Sequence, residues 1–253
     1  MLTLTRSKDR KVANAVSPNG KSAVIANAFG IPSGTAFSCP GATSFCERIC
    51  YAGKLEKIYS GVRNVLVSNF ESLCYADYLD GIDGMADILF HMVNDFVVET
   101  IARQEKGKPA TFDFRIHWDG DFFSRDYATA WANVIALFPD VNFWVYTRSF
   151  TDDVFVIDIL AGIPNLTVYL SADPVNIDLA NEVAGNYPGV FIATVADTFA
   201  EAKQTIIDNA RKSYNCPENG KRIPLISEKG SACVSCGVCV KGRGDVLFSV
   251  KKR

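Results

Sequence analysis

Apolar residues recur along this chain at two intervals, and the interval changes near residue 110. Over residues 61–79, and again over 85–105, they return every three or four positions, as at Met85, Ile88, Leu89, Met92 and Phe96. That spacing predicts two consecutive helices. Beyond them the rhythm becomes strand, loop, helix. Strands are predicted at 111–117, 141–147, 166–171 and 190–195, preceded by an isolated apolar run at 23–28 that ends at Phe29-Gly30 and Pro32. Helices are predicted between and after them at 125–137, 152–160, 177–184 and 199–212. Strands alternating with helices imply parallel pairing and right-handed crossovers. The expected fold is therefore α/β, a complete or partial (β/α) barrel with parallel strands, and an open doubly wound sheet is the alternative. Residues 1–213 would form the barrel-like core, and 214–253 a cysteine-rich metal-binding segment packed on it.

In either architecture ligands bind beyond the C-terminal ends of the strands, and the unusual polar residues gather there. Trp118-Asp119-Gly120-Asp121 follows the strand ending at His117, Arg148 follows Thr147, and Asp173 follows Ser171-Ala172. Asp119 and Asp121 stand two apart on a turn beside His117, which suits cofactor binding or proton transfer. Arg148 and Asp173 are expected to anchor a carboxylate, phosphate or ribose, and Tyr51 and Trp118 to stack on an adenine or a base.

The cysteines change the picture most. Seven of eight fall into two clusters, Cys39, Cys46 and Cys50 early and Cys216, Cys233, Cys236 and Cys239 late. Thiolates are soft ligands suited to zinc, copper or iron–sulfur clusters. Clustered cysteines without a secretory leader point to a reducing cytoplasm rather than a disulfide framework. The first cluster is C-x6-C-x3-C; three cysteines can hold a 4Fe–4S cluster and leave one iron open. The second is C-x2-C-x2-C, with Cys216 followed by Pro217, the ligand types of bacterial ferredoxins in another order. Zinc is the alternative at these C-terminal cysteines. Cys216 is able to complete either cluster. Cys74, in an apolar helical stretch, is expected to be buried filler.

Other signals carry less. A formal net charge of -2 gives no global field for nucleic acid, although the basic tail 251–253 would help hold such a substrate electrostatically. No apolar run reaches the roughly 20 residues that span a bilayer, so no membrane partner is expected. Gly20-Lys21-Ser22 lacks the earlier glycine of a phosphate-binding loop, and Ala15 stands in its place.

The runs Phe114–Ser124 and Cys233–Cys239 resemble the actinobacteriophage gene product 88 family across most of the chain, which implies a phage protein in the host cytoplasm. A three-cysteine loop after the first strand also resembles the radical S-adenosylmethionine enzymes, whose usual spacing is C-x3-C-x2-C. The closing Cys50-Tyr51-Ala52 is similar to a phage-associated group of that type. By that resemblance, Gly120 and Asp121 would hold the methionine end of S-adenosylmethionine, and a reductase or other electron donor would be a partner. Two other functions fit the residues: a closed-cluster electron-transfer protein, and a zinc-dependent base-exchange enzyme resembling the tRNA-guanine transglycosylases, with Asp119 or Asp173 as nucleophile. A nucleotide or nucleic acid is the expected substrate class.

Overall fold

A computed structural model describes residues 2–207 and 210–251. In chain order the elements are α1 (Ser44–Ile49), α2 (Tyr51–Ile58), α3 (Ser60–Glu105), β1 (Asp113–Ile116), α4 (Arg125–Leu137), β2 (Asn142–Thr147), α5 (Ile157–Leu160) and β3 (Leu166–Ala172). They continue as α6 (Ile177–Asn186), β4 (Phe191–Ala196), α7 (Phe199–Gln204), β5 (Ser213–Asn215), β6 (Ile226–Ser227), β7 (Gly230–Ser231), α8 (Ala232–Cys236) and β8 (Asp245–Ser249). The main sheet runs β1-β2-β3-β4-β8-β5, with every pairing parallel.

Alternation along the strands sorts side chains onto two faces. Phe114, Ile116, Phe143, Val145, Val168, Leu170 and Ile192 point to one face, where α3, α4, α5 and α6 cover them in a single continuous core. Arg115, Trp144, Tyr146, Tyr169 and Val246 point to the other. There Val12 and Val240 pack on Trp144, and Cys216 and Val238 pack on Tyr169. Helices on one face with β1 to β4 in sequential order resemble part of a barrel wall, but β8 then intervenes before β5 and the sheet stays open. The complete barrel expected from the sequence is not formed. Its interior would lie where the terminal segments fill the space against Trp144 and Tyr169, and the far edge ends in the three-residue β5.

The predicted strand at 23–28 is also corrected. It makes no regular strand, only isolated bridges at Ala23 and Ala28. Hydrogen bonds shift the pairing a few residues on: Arg115 donates to Asn27 O, Phe29 to Arg115 O, Trp118 to Phe29 O and Ile31 to Asp119 O. Asn27 uses its side-chain amide on the carbonyls of Val12 and Asp113. The chain thus runs beside β1 as an irregular seventh edge and delivers Cys39 to the C-terminal end of the strands.

The two long helices merge into α3, which breaks where Asp80 and Gly81 leave helical geometry. The expected helix at 152–160 shrinks to α5, and that at 199–212 to α7. Thr198 and Glu201 form a reciprocal N-terminal cap on α7, and the chain then extends into β5; positions 208 and 209 of that predicted helix lie outside the described residues. Cys74, expected to be buried, is exposed on α3. Among the described residues no helix is long and apolar enough to cross a membrane.

The C-terminal segment is woven into this sheet, because β8 lies between β4 and β5. Asp245 fixes it there. Wholly buried, its carboxylate accepts from the Ile192 amide at 2.7 Å and from two nitrogens of Arg211 at 2.8 Å. Breaking a buried pair of this kind costs about 3 kcal/mol or more. Asp245→Ala is therefore expected to lower unfolding free energy by that amount in urea titrations followed by tryptophan fluorescence. A loss below about 1 kcal/mol would show that the clamp does not hold β8.

Candidate functional site at the C-terminal edge of the sheet

The first cysteine loop is tied to the strand ends by short polar contacts. Thr43 caps α1 by accepting from the Cys46 amide at 3.0 Å and donates to Asp173 Oδ2 at 2.5 Å. Arg148 Nη1 donates to the same Asp173 oxygen at 2.7 Å, and both side chains are buried. At Cys50 the thiol sulfur caps α2, accepting from the Gly53 amide at 3.3 Å. Gly41 lets the loop close down: a Cβ there would lie 2.1 Å from the Arg148 carbonyl oxygen.

Asp121 joins this frame to the sheet. Its carboxylate accepts from Thr147 Oγ1 at 2.6 Å, the Arg148 amide at 2.6 Å and the Phe122 amide at 2.8 Å. Its own amide donates to Ser38 Oγ at 3.2 Å. Burial pushes its pKa up to about 6, against the pull of those donors. Gly120 before it takes a positive φ of 78° with Ile31 and Ser38 tight against it, so no side chain fits.

Asp119 is different. One oxygen accepts from the Gly120 amide at 2.9 Å, while Oδ2 is buried with no hydrogen-bond partner. Burial, then the negative charge of nearby Glu56, raises its pKa to about 8. Glu56 is itself held by the Ser33 amide at 3.0 Å. Among the aspartates at these strand ends, Asp119 keeps a carboxyl oxygen uncommitted.

His117 turns away from this group. It leaves β1 with a positive φ of 56° and is buried among Phe29, Phe122 and Tyr127. Its Nε2 pairs with the Tyr127 hydroxyl at 2.9 Å, and burial followed by Arg115 lowers its pKa to about 3. It is a neutral ring that hydrogen-bonds neither Asp119 nor Asp121. Tyr51 holds its ring about half in solvent, and its hydroxyl donates to the Trp118 carbonyl at 3.1 Å.

The cysteines assemble in two places. Cys46 and Cys50 lie close enough for their charges to interact, with Arg148 beside Cys46. Cys39 faces Asp121 and Asp119, and burial pushes its thiol up to about 12. On the other face of the sheet, Cys216, Cys233, Cys236 and Cys239 all line one cavity of about 20 Å³. Burial raises the thiols of Cys216, Cys233 and Cys239, and Lys11 pulls each back down. Among the described residues, no three His, Cys, Asp or Glu side chains converge closely enough to hold a metal ion as they stand.

Several contributors have little or no signature in the sequence. Thr43 has one, since a threonine three residues before Cys46 is a helix-cap pattern. So does Arg115, a lone charge in an aromatic strand; its guanidinium lies over the Tyr146 ring at 5.3 Å and 3.7 Å from Asp9. Ser38, Glu56 and Lys11 have none.

The Asp119 environment sets a pH dependence. Its folded-state pKa of about 8 lies above the ordinary 3.8, so the folded protein keeps a proton that the unfolded chain releases. The stability this confers is full below about pH 4 and is lost as pH rises through about 8. Asp119→Asn mimics the protonated form. Between pH 5 and pH 8, urea titrations are expected to show a smaller fall in stability for the variant than for the parent. Equal falls would place the proton elsewhere.

Comparison with known proteins places the chain among bacteriophage gene products. The model of the family described as Gene product 88 matches residues 2–242. The Gene 88 protein of Mycobacterium phage L5 is 47% identical over 256 residues, covering 100% of both chains. That of Mycobacterium phage D29 is 47% identical over 257 residues, again covering 100% of both. No solved structure matches. The chain belongs to the Gene product 88 family of bacteriophage proteins.

Proposed function

We propose that the chain is an iron–sulfur protein of the S-adenosylmethionine-dependent type, with its cluster held by Cys39, Cys46 and Cys50. One observation carries this reading. The three-cysteine loop directly follows the irregular edge at 27–31 and stands at the C-terminal end of an all-parallel sheet, over the aspartates and arginine of the next three strand ends. Three thiols from one loop leave a cluster with an iron free of protein ligands. When bound, such a cluster supplies a single electron to a sulfonium.

The remaining roles fall to the chain's own groups. Asp121, saturated by internal donors, acts as a positioning residue that sets the spacing of the β1 and β2 exits. Asp119, which keeps its proton at neutral pH, is the carboxyl left to donate a hydrogen bond or a proton to a bound molecule. Arg148 and Asp173 neutralise each other and hold Thr43, which fixes Cys46. Cluster binding has to draw Cys39 from the aspartates toward Cys46 and Cys50.

At the C-terminal cysteines a specific observation favours a single ion. A cavity of about 20 Å³ takes roughly one water-sized body, and the four thiols that line it would suit tetrahedral zinc once drawn inward.

The test is metal and sulfide analysis of anaerobically purified protein, with electron paramagnetic resonance after dithionite reduction, with and without S-adenosylmethionine. The expected result is about four irons and about four sulfides per chain, about one zinc, and a reduced-cluster signal that shifts with the cofactor. Cys46→Ala should abolish that signal and keep the zinc. Zinc without iron would overturn the cluster reading. A signal indifferent to the cofactor would make the protein a closed-cluster electron carrier.

A further inference from the structure

The net charge of -2 hides a strong separation of charge. Residues 1–63 carry nine Lys and Arg against three Asp and Glu, and residues 211–253 carry ten against three. Residues 64–210, which hold nearly all the helical layer, carry seven against twenty-two. The ends of the sequence are thus basic and the middle acidic.

The fold brings the two basic ends together. The Cys233 amide donates to Lys11 O at 3.0 Å, Lys11 pairs with Glu218 at 2.6 Å, and Gly20 abuts the backbone of Ser227 and Glu228. The stretches around Val12 and Val240 cover the face of the sheet opposite the helices, where they share Trp144, while Arg6 reaches back to Glu99 on α3. The basic layer continues over the C-terminal edge of the strands. There Arg48, Lys54 and Lys57 are exposed on α1 and α2, around Cys46 and Cys50, while Lys221, Arg222 and Lys241 are exposed near the second cysteine cavity. On the helical side, α3 exposes a row of acids that includes Glu71, Asp77, Asp87 and Asp95.

A solvated surface mixes its signs to limit self-repulsion. One-sided separation instead steers a polyanion to a chosen face, and it keeps the acidic face away from it. Exposed rings stand among the cations: Tyr59 and Phe37 are 56% and 42% exposed. Base faces stack on such rings when a strand is unpaired.

We infer that the face built from the two chain ends, continuous with the rim of the Cys39–Cys50 loop, is a docking surface for single-stranded nucleic acid. This inference stands on charge and exposure and does not depend on which metal the cysteines hold.

The test is fluorescence anisotropy with the protein as purified and a labelled single-stranded 20-nucleotide DNA of mixed sequence, titrated over a range of salt. The same strand as a duplex, and vesicles of one part phosphatidylserine to two parts phosphatidylcholine, are competitors. Three variants are compared: Lys54→Glu/Lys57→Glu, Tyr59→Ala, and Lys106→Glu/Lys108→Glu as a control on the acidic side. Thermal melts confirm that each is folded. Expected is binding that weakens with salt, with a slope shallower by about 0.7 for each phosphate that Lys54→Glu/Lys57→Glu no longer neutralises. Tyr59→Ala should bind about tenfold more weakly, and the control should bind as the parent does. No binding at low salt, equal effects of the control and the α2 variant, or preferential binding of the duplex or the vesicles would each overturn the inference. Metal content measured on the same samples separates this result from the cluster reading.

Discussion

The buried carboxylate of Asp121 is the constraint on which the edge of this sheet depends. It ties the exit of β1 to the exit of β2 through the Phe122 and Arg148 amides and the Thr147 hydroxyl. Arg148, its backbone so fixed, directs its guanidinium to Asp173 beyond β3, and Asp173 takes the hydroxyl of Thr43 at the start of the cysteine loop. Three strand ends and one loop are therefore a single hydrogen-bonded unit. Each member is costly to leave unmet once buried. Because both its oxygens are consumed inward, Asp121 shapes the site without being offered to a ligand, and the open carboxyl oxygen is that of Asp119.

The parts of this fold that are legible in the sequence are those fixed by local periodicity. Alternation of Phe143, Val145 and Thr147 with Trp144 and Tyr146 marks a strand whatever surrounds it, and Ser124, capping α4 through the Tyr127 amide, marks a helix start. What is illegible is set by distant partners. The expected strand at 23–28 is replaced by irregular pairing of 27–31 with β1 and its exit, held in place by the Asn27 side-chain amide on the carbonyls of Val12 and Asp113. The place of β8 between β4 and β5 rests on Asp245 meeting Arg211 and Ile192. Cys74 misleads because the helix that carries it buries Leu73 and Ala76 and leaves the intervening positions outside. At the site, the residue types at the strand ends are readable. Their division of labour is not, since it depends on whether each carboxylate oxygen finds a donor.

His117 shows how that division arises. It sits in sequence between Arg115 and Asp119, and its neighbours in chain suggest acid–base chemistry. Yet the positive φ at His117 swings its ring to the helix side, among aromatics, where a charged imidazolium is not tolerated. Beyond that turn the chain keeps its direction, so that the Trp118 amide and the Asp119 carbonyl continue the pairing with the 27–31 edge and Asp119 faces Glu56 and Cys39. A strained residue thus serves by aiming its neighbours.

The covered face of the open sheet has a consequence for access. In an open-mouthed barrel a substrate approaches along the axis, toward side chains on the inner face of the strands. Here Trp144, Tyr146 and Tyr169 on that face are covered by the Cys216–Cys239 segment and by residues near Lys11. At the C-terminal rim, by contrast, Cys46, Cys50 and the ring of Tyr51 are only partly covered. That rim is also where the basic ends of the chain meet the cysteine loop. The cysteine-rich segment closes one side of the sheet, and the first cysteine loop stands at the C-terminal edge with Cys46 and Cys50 only partly covered.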